Sequence, residues 1–591
     1  MDFDYDLDYN PNAEIKNCKQ VSLYNQAVKA VAENFVCYER KDLKNLPGHI
    51  LFDVYYSLHS IKKMSVLRVE LSNLEIMSRL IHEVAMRREL LRMFQAVMDH
   101  KNTAASELVR SFILINYNKL DENILTLGLK LGNFLEEAGW FSEAEGVLRS
   151  CRNICKENNL VNMLSLECHC RALHIQSIFY LFEAADESYK LCVDLMNKLE
   201  SSGVQSMNYA ALYSNFSVYY YCKSEYDMSF HWSLKALENL SERLPRGVIV
   251  DILCQAAKAH VIKRQLPKAE LLIQQALYRS RELCKEHIYH TKFINTLLDY
   301  AFFLLNSDAV KRSVSVYQFA LKLKQVLFGH ENLQVAIAED ELAYALYVNE
   351  YSSGRFTESK YHAEKAIRTF QNLLPDNHLL LTSAHRVKAL ILEEIALDSN
   401  EQVSVQLYKE AELLHQNALV LSLQHFGENN VQTAKHYGNI GRLYQSMQKY
   451  EEAEKMQLKA IAIKEKVLGK DDYEVGLSVG HLASLYNYHM LEYHKAEKLY
   501  YRSIDINLKL FSASYSGLEY DYRGLIHVYE LLDNMDRMSE YTNKLSEWKI
   551  LRETNDLNDR EMSGIDYAKP SLPLSQVMEK YHSMTSGAKW G

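Results

Sequence analysis

Residues 433–463 read TAKHYGNIGRLYQSMQKYEEAEKMQLKAIAI, and residues 476–506 read GLSVGHLASLYNYHMLEYHKAEKLYYRSIDI. A third copy, LEYDYRGLIHVYELLDNMDRMSEYTNKL, covers residues 518–545. The three copies carry a tyrosine at the same place, at intervals of 42 and 43 residues: Tyr444, Tyr486 and Tyr529. Self-similarity at a fixed period is typical of a solenoid, in which each copy is one supersecondary unit.

The first copy has the pattern of two amphipathic helices joined by a short turn. One apolar face is formed by Tyr437, Ile440, Gly441 and Tyr444, and a second by Tyr450, Ala453 and Ala460. Both sets recur at the spacing of a 3.6-residue helix. Gly441 and Ala453 are small, which lets the two helices approach closely. The pattern matches the tetratricopeptide repeat.

The connections between copies support this reading. FGENN at Phe426–Asn430 and LGKDD at Leu468–Asp472 each supply a glycine that ends one helix and polar residues that cap the next. The spacing of 42 residues resembles the repeats of kinesin light chains.

Weaker copies extend the array towards the amino terminus. We expect an all-α superhelical solenoid of eight or nine tetratricopeptide-like hairpins over residues 121–550. Residues 61–120 are predicted to form linking helices. Residues 1–16, which are acidic, and residues 551–591, which are polar, are predicted to be flexible tails.

Composition limits the function. Glycine and proline number only 20 and 7 in 591 residues, which favours long helices over strands. The formal charge of −9 and the lack of a Lys/Arg run argue against nucleic-acid binding. No segment approaches the roughly 18 apolar residues that span a bilayer, and the amino terminus is no presequence. We therefore expect a cytoplasmic and nuclear protein that does not span a membrane.

The cysteines form no framework for the whole chain, because all ten lie between Cys18 and Cys284. The tightest group is Cys151, Cys155, Cys168 and Cys170. Its C-x-C half lacks the ligand spacing of a zinc site, so these residues are predicted to be buried thiols, with no metal and no cofactor.

The amino-terminal segment, residues 17–60, has its own pattern. Leu23, Ala27 and Val31 lie one helical turn apart. Fifteen residues later LPGHILFDV begins, and Pro47 in it stands where a helix would start. The apolar residues of this second helix are Leu46, Ile50 and Val54.

These two helices resemble the elongin-binding box and the cullin-2 box of ubiquitin-ligase receptors. Ala27 departs from that pattern, because cysteine is commonest at its place. The resemblance implies that Leu23, Ala27 and Val31 bind elongin C, and that Leu46, Pro47, Ile50 and Val54 bind cullin-2. The alternative is a helical cap that shields the first repeat.

From Leu23 to Trp548 the chain is similar to the amyloid protein-binding protein 2 family. Strings outside the repeat pattern carry this similarity: NVQTAKHYGNIGRLYQSM, SVGHLASLYNY, YSGLEYDYRGLI and HRVKALILEEIA. It implies a substrate receptor that works with elongin B, elongin C, cullin-2 and its RING protein, and that recognises carboxyl-terminal degrons of Arg-x-x-Gly type. It also implies an alternative role, as a microtubule-associated adaptor in transport of amyloid precursor protein.

The first helix of each hairpin should line a concave groove. By register, the groove-facing residues with hydrogen-bond donors or acceptors for a peptide are Asn439, Arg442, His481, Ser484, Asn487 and Arg523. Asp299, Asp340 and Glu341 lie on the same face of earlier repeats and could pair with an arginine of the degron. The alternative is that these charges bridge repeats or are solvated.

No catalytic residue is expected. The chain has no glycine-rich phosphate loop, no G-x-S-x-G elbow and no H-E-x-x-H motif. A microtubule adaptor related to kinesin light chains would need a heptad coiled coil to join its motor, and the sequence lacks one.

Overall fold

The computed structural model describes residues 22–38, 43, 45–101, 103–116, 121–201, 208–284, 291–351, 353–561 and 569–584. In these ranges the regular structure is entirely helical, which confirms the predicted fold class. The chain divides into two compact units, residues 1–117 and residues 118–591.

Within its described residues, the first unit contains six α-helices around one apolar core. Their bounds are α1 Leu23–Glu33, α2 Gly48–Ser60, α3 Met64–Leu71, α4 Leu74–Leu80, α5 Arg87–His100 and α6 Ala104–Asn116. The core is centred on α2, where Leu51, Phe52 and Tyr55 are buried, and the Tyr55 hydroxyl donates to Glu70 on α3 at 3.0 Å. The predicted boundary at residue 60 therefore differs from the structure, because α2 shares its core with the helices that follow.

The second unit consists of ten helical hairpins and a final helix, within the described ranges. The hairpins, each written as helix A then helix B, are α7 Glu122–Glu137 with α8 Phe141–Glu157, α9 Met163–Ile178 with α10 Phe182–Ser201, α11 Ala210–Cys222 with α12 Tyr226–Glu238, α13 Arg246–Ile262 with α14 Leu266–Leu283, α15 Thr291–Asn306 with α16 Val310–Phe328, α17 Leu333–Glu350 with α18 Thr357–Leu373, α19 Leu379–Leu397 with α20 Glu401–Phe426, α21 Val431–Ser446 with α22 Tyr450–Leu468, α23 Tyr473–Tyr488 with α24 Tyr493–Leu510, and α25 Gly517–Leu531 with α26 Met535–Glu561. The expected number was eight or nine.

The predicted packing within hairpin 8 is confirmed. A Cβ on Gly441 would lie only 3.1 Å from the Ala453 carbonyl oxygen, so a small residue is needed where helices A and B cross. The predicted ends are confirmed as well. Gly427 and Gly469 end helices B with positive φ, and Asn430 and Asp472 cap the next helices A.

Helices A lie on the inside of the curve. Among the described residues, eight of the nine successive pairs of helices A pack against one another, the exception being the pair in hairpins 5 and 6, and no successive pair of helices B makes a contact of similar extent. We call the surface formed by helices A the inner wall. Its position agrees with the predicted groove.

The array completes one superhelical turn in five hairpins. The turn between helices A and B of hairpin 1 contacts the start of hairpin 6, where the Asn332 amide donates to the Ala138 carbonyl at 2.8 Å. Each of the next four hairpins repeats this contact: Phe179 with His378, Lys223 with Asn430, Arg264 with Tyr473, and Asp308 with Ser516. We call this row of five contacts the seam.

The region predicted to be a flexible tail is partly folded. Helix α26 continues to Glu561, and α27, Leu574–Ser583, packs against hairpin 4. The Arg279 guanidinium donates to the Leu572 carbonyl at 2.6 Å, and the Tyr581 hydroxyl bonds His260 at 2.8 Å. The prediction was wrong here because the apolar spacing of Leu574, Val577 and Tyr581 makes α27 amphipathic, and all three side chains are buried.

The seam generates a stability prediction. Asn332→Ala removes a helix cap and a seam contact together, whereas Asn162→Ala removes a cap alone, the bond from the Ser165 amide to the Asn162 side chain. A cap is worth about 1 kcal/mol, and a buried hydrogen bond adds about the same. We expect Asn332→Ala to lower the thermal unfolding midpoint about twice as much as Asn162→Ala. Equal shifts would mean that the seam adds no stability.

Candidate protein-binding surfaces

Helix α1 exposes most of its length. Its amino end is capped by Ser22, whose hydroxyl accepts from the Asn25 amide, and of its own residues Ala32 alone is buried. Leu23 is 82% exposed, Ala27 is also exposed and Val31 is half-buried. A single exposed leucine is ordinary in proteins. Here three apolar residues form a stripe on a helix that is already held to α2 by its other side.

The residues predicted to bind cullin-2 do not all share one surface. Pro47 is exposed at the start of α2, and Leu46 and Ile50 are half-buried. Val54 is 1% exposed and belongs to the core of the first unit. The prediction for Val54 was therefore wrong, because helical spacing alone cannot distinguish the core face of a short helix from its outer face.

The inner wall contains two carboxylates with an unused oxygen. Oδ1 of Asp340 and Oε2 of Glu341 are shielded from solvent and have no hydrogen-bond partner. Burial raises the pKa of Asp340 to about 6, although Arg386 and a 3.0 Å bond from the Ser383 hydroxyl oppose this shift. Burial also raises the pKa of Glu341, against the opposing effect of the Lys324 ammonium. A buried carboxylate oxygen without a hydrogen-bond partner is costly, so a cationic ligand that donates to it would be stabilised here.

Arg386 lies beside these carboxylates on the next helix A. Asp340 and Arg386 are each the eighth residue of their helices, which begin at Leu333 and Leu379, so the two residues lie at the same level of neighbouring helices. The Arg386 guanidinium lies 5.1 Å from the Tyr344 ring centroid, a cation–π contact. That contact leaves the five N–H donors of Arg386 available to a carboxylate.

Comparison with known proteins identifies the family. The tetratricopeptide repeat family model matches residues 433–474. Amyloid protein-binding protein 2 of Mus musculus is 46% identical to the chain over 543 residues, which is 90% of this chain and 92% of that protein. The chain belongs to the amyloid protein-binding protein 2 family. The Rattus norvegicus member has the same identity and coverage.

Two solved structures are similar to this family member over part of the chain. A Rap protein complexed with competence and sporulation factor is 15% identical, with a TM-score of 0.47, covering 66% of this chain and 99% of its own. Human IFIT1, as a dimer with PPP-AAAA, is 13% identical, with a TM-score of 0.39, covering 74% of this chain and 93% of its own.

Two of the predicted peptide-binding residues are committed to other contacts in this family member. Arg442 donates to Glu393 at 3.0 Å and to the Tyr347 hydroxyl at 3.3 Å, so it links three helices A. Asn487 is completely buried, and its amide donates to the Gly524 carbonyl at 3.1 Å. For Arg442 this is the alternative in which the charge bridges repeats, because a polar residue on helix A can bond the neighbouring repeat instead of facing the groove. A role of either residue in peptide binding stays a prediction.

The remaining predicted residues lie on helices A with different degrees of access. Asp299, Glu341, Asn439 and His481 are the ninth residues of their helices and form one row on the inner wall. Asp299 is paired with Lys258 at 3.1 Å. Burial lowers the pKa of His481 to about 3, so this ring is neutral. Ser484 is nearly buried, and Arg523 is exposed and paired with Glu519 on its own helix.

The repeat pattern of the sequence does not indicate Arg386, although this residue lies inside the string HRVKALILEEIA that marks the family. Its hairpin has a helix B of 26 residues, so the spacing to the next repeat is irregular and the register of α19 was not assigned. Counting from the cap of each helix A, rather than from the tyrosines, would have placed Arg386 level with Asp340.

The described ranges were also compared with the predictions for the cysteines, for metal binding and for membrane spans. Cys151, Cys155, Cys168 and Cys170 are buried free thiols, as predicted. Within these ranges no group of three or more His, Cys, Asp or Glu side chains is placed to hold a metal ion. No described helix combines the length and the apolar character needed to cross a membrane.

The inner wall generates a pH prediction for the protein without ligand. The folded state raises the pKa of Asp340, so the unfolded state loses this proton first as the pH rises through about 4 to 6, and stability falls over that range. Asp340→Asn should therefore raise the thermal unfolding midpoint at pH 8, by the equivalent of about 1–3 kcal/mol, and leave it almost unchanged at pH 4. A drop in the midpoint at pH 8 would contradict this assignment.

Proposed function

We propose that this chain is the substrate-recognition subunit of a cullin-2 RING ubiquitin ligase, and that its inner wall binds carboxyl-terminal degrons of Arg-x-x-Gly type. The observation that carries the proposal is the placement, on α17, of two carboxylates that each have one oxygen without a hydrogen-bond partner, and of a hydrogen-bond-free guanidinium at the same level of α19. That the chain is a tetratricopeptide-repeat protein-binding adaptor follows from its family and its repeats.

The spacing of these charges suits the degron. In an extended Arg-x-x-Gly peptide the arginine and the carboxyl end are three residues apart, or about 10 Å. Packed helices lie about 8–10 Å apart, so one helix can hold the arginine while its neighbour holds the carboxylate. Glu341 and Asp340 would accept from the peptide guanidinium. Arg386 would donate to the carboxylate, and glycine at the last position would leave room for this close approach.

In the proposed complex, α1 makes the contact with the ligase. A leucine that is 82% exposed, followed one turn later by an exposed alanine, offers an anchor that could enter an apolar pocket of elongin C. Pro47 at the exposed start of α2 is the corresponding candidate for cullin-2. We propose elongin B and the RING protein as further members of the complex, and the cytoplasm and nucleus as its location.

Such a receptor performs no chemistry of its own. It would hold a substrate lysine close to a ubiquitin-loaded enzyme, and so raise the effective concentration of the two reactants. Two separate contacts are needed, one for the ligase and one for the degron, and neither requires a catalytic side chain.

The ligase contact can be tested with one substitution and a matched control. Leu23→Asp should abolish co-purification of elongin B, elongin C and cullin-2, because it places a charge on the exposed anchor. Val84→Asp changes another exposed apolar residue of the same unit, 70% exposed, and should leave the complex intact. Both variants should keep the wild-type circular dichroism spectrum. Full elongin binding by Leu23→Asp would exclude α1 as the contact.

The degron contact can be tested by pairing protein variants with peptide variants. Arg386→Gln should weaken binding of an Arg-x-x-Gly peptide by about 10- to 100-fold and should not weaken binding of its carboxyl-amidated form further. Glu341→Gln should weaken binding of the Arg-x-x-Gly peptide by a similar factor. It should not weaken further the binding of a peptide in which citrulline replaces the arginine. Binding should also fall by about tenfold between pH 7.5 and 5.5, as Asp340 and Glu341 take up protons.

The control for this experiment is Arg368→Gln, an exposed arginine of helix B in hairpin 6, which should bind like the wild type. If Arg386→Gln weakens the acid and the amidated peptide equally, Arg386 is structural. Isothermal titration calorimetry measures each affinity directly.

A second candidate function comes from the name of the family. Amyloid protein-binding protein 2 is named for binding an amyloid protein, and we therefore consider a microtubule-associated adaptor that carries amyloid precursor protein. Co-sedimentation of the purified chain with microtubules at physiological salt tests this role. It predicts binding that Leu23→Asp does not change.

A further inference from the structure

The seam closes the side of the array over one complete superhelical turn. Every turn between helices A and B in hairpins 1 to 5 contacts the start of helix A five hairpins later, and the contacts are direct hydrogen bonds or ring contacts. The Asn430 amide donates to the Lys223 carbonyl at 3.0 Å, and the Ser516 hydroxyl lies 2.7 Å from Asp308. The Phe179 and His378 rings are 4.6 Å apart, and the Arg264 guanidinium lies 4.1 Å from the Tyr473 ring.

This arrangement differs from an open repeat groove. In an open superhelix a peptide can approach from the side, and an internal segment of a protein can bind as well as an end. Here the space inside helices A is bounded laterally, by neighbouring hairpins within a turn and by the seam between turns.

We infer that ligands enter the inner channel along its axis, end first, so that this protein accepts chain termini and rejects internal segments and loops. The inference rests on the proposed function, because it concerns the same inner wall, and it adds the route by which the ligand enters. Selection of an end would then result from the architecture, in addition to any recognition of the carboxylate.

The geometry also gives the length of free chain that is needed. The amino ends of helices A in hairpins 6 to 10 lie at the seam, so their carboxyl ends form the outer rim of the channel. Eleven residues follow Arg386 in α19, which ends at Leu397. At about 1.5 Å per residue they span about 16 Å. An extended peptide covers this depth with about five residues.

A linker scan tests this depth with the wild-type chain. A folded carrier domain ends in Arg-x-x-Gly after 4, 8, 12 or 20 unstructured residues in total, and every version keeps a free carboxylate. We expect no capture with 4 residues, where the carrier would strike the rim, and full affinity from about 12 residues. Equal capture with all four lengths would overturn axial entry.

Locking the seam tests the route of entry. The double variant Asp308→Cys/Ser516→Cys places one thiol on each side of this seam contact, and oxidised glutathione joins them where the backbone brings the two Cβ atoms within about 4.5 Å. Mass spectrometry confirms the link, and the reduced form of the same variant is the control. We expect the oxidised form to bind a free Arg-x-x-Gly peptide with the association rate and affinity of the reduced form, within about twofold. A tenfold loss on oxidation would show that the seam must open.

A scattering measurement separates failure of this inference from failure of the proposed function. If the peptide binds neither form, the proposed degron is wrong. Small-angle X-ray scattering then decides the inference alone. An unchanged radius of gyration on oxidation supports a seam that is closed in solution, and a clear decrease overturns it.

Discussion

The second unit depends on a contact between residues about 200 positions apart. Asn332 and Asn430 each use both halves of the amide. The side-chain oxygen accepts from the second N–H of its own helix, and the side-chain nitrogen donates to a carbonyl in the turn five hairpins earlier. An aspartate could perform only the first role. At Asp472 the seam is formed by a different contact, Arg264 stacked on Tyr473. Gly139 has positive φ and no space for a Cβ beside Asn332, so this turn requires glycine.

Closure of the turn determines the electrostatics of the inner wall. Charges on helices A are brought into a confined space, where leaving them unpaired is costly. Several are matched to a neighbouring helix A, as in Lys258 with Asp299, Lys435 with Glu474, and Arg442 with Glu393. The charged residues on helices A that lack such an ion-pair partner therefore indicate where a charged ligand would be stabilised.

The fold could be predicted from the sequence because its signals are local. The tyrosine period, the small residue at Gly441 and the helix-ending Gly427 each depend on residues within one hairpin. The seam could not be predicted, because it joins ordinary cap residues through a stagger of five hairpins. Only part of the site could be predicted, because some of its features depend on one helix and others on the neighbouring repeat. The row containing Glu341 follows from helical register, whereas the commitment of Arg442 and Asn487 depends on the neighbouring repeat. Leu23 and Val54 have the same apolar spacing but opposite exposure, which is decided by tertiary packing.

The contrast between Asp299 and Glu341 gives the strongest physical argument for a binding site on the inner wall. Both are the ninth residue of a helix A, in adjacent hairpins. Asp299 has Lys258 opposite it, whereas Oε2 of Glu341 has no hydrogen-bond partner, and neither does Oδ1 of Asp340. Lys324 and Arg386 act on these carboxylates only through their charge, whereas one hairpin earlier the wall places a cation within ion-pair distance. Proteins keep such destabilising groups where function requires them. A ligand that brings its own positive charge would complete the pairing that the rest of the wall makes internally.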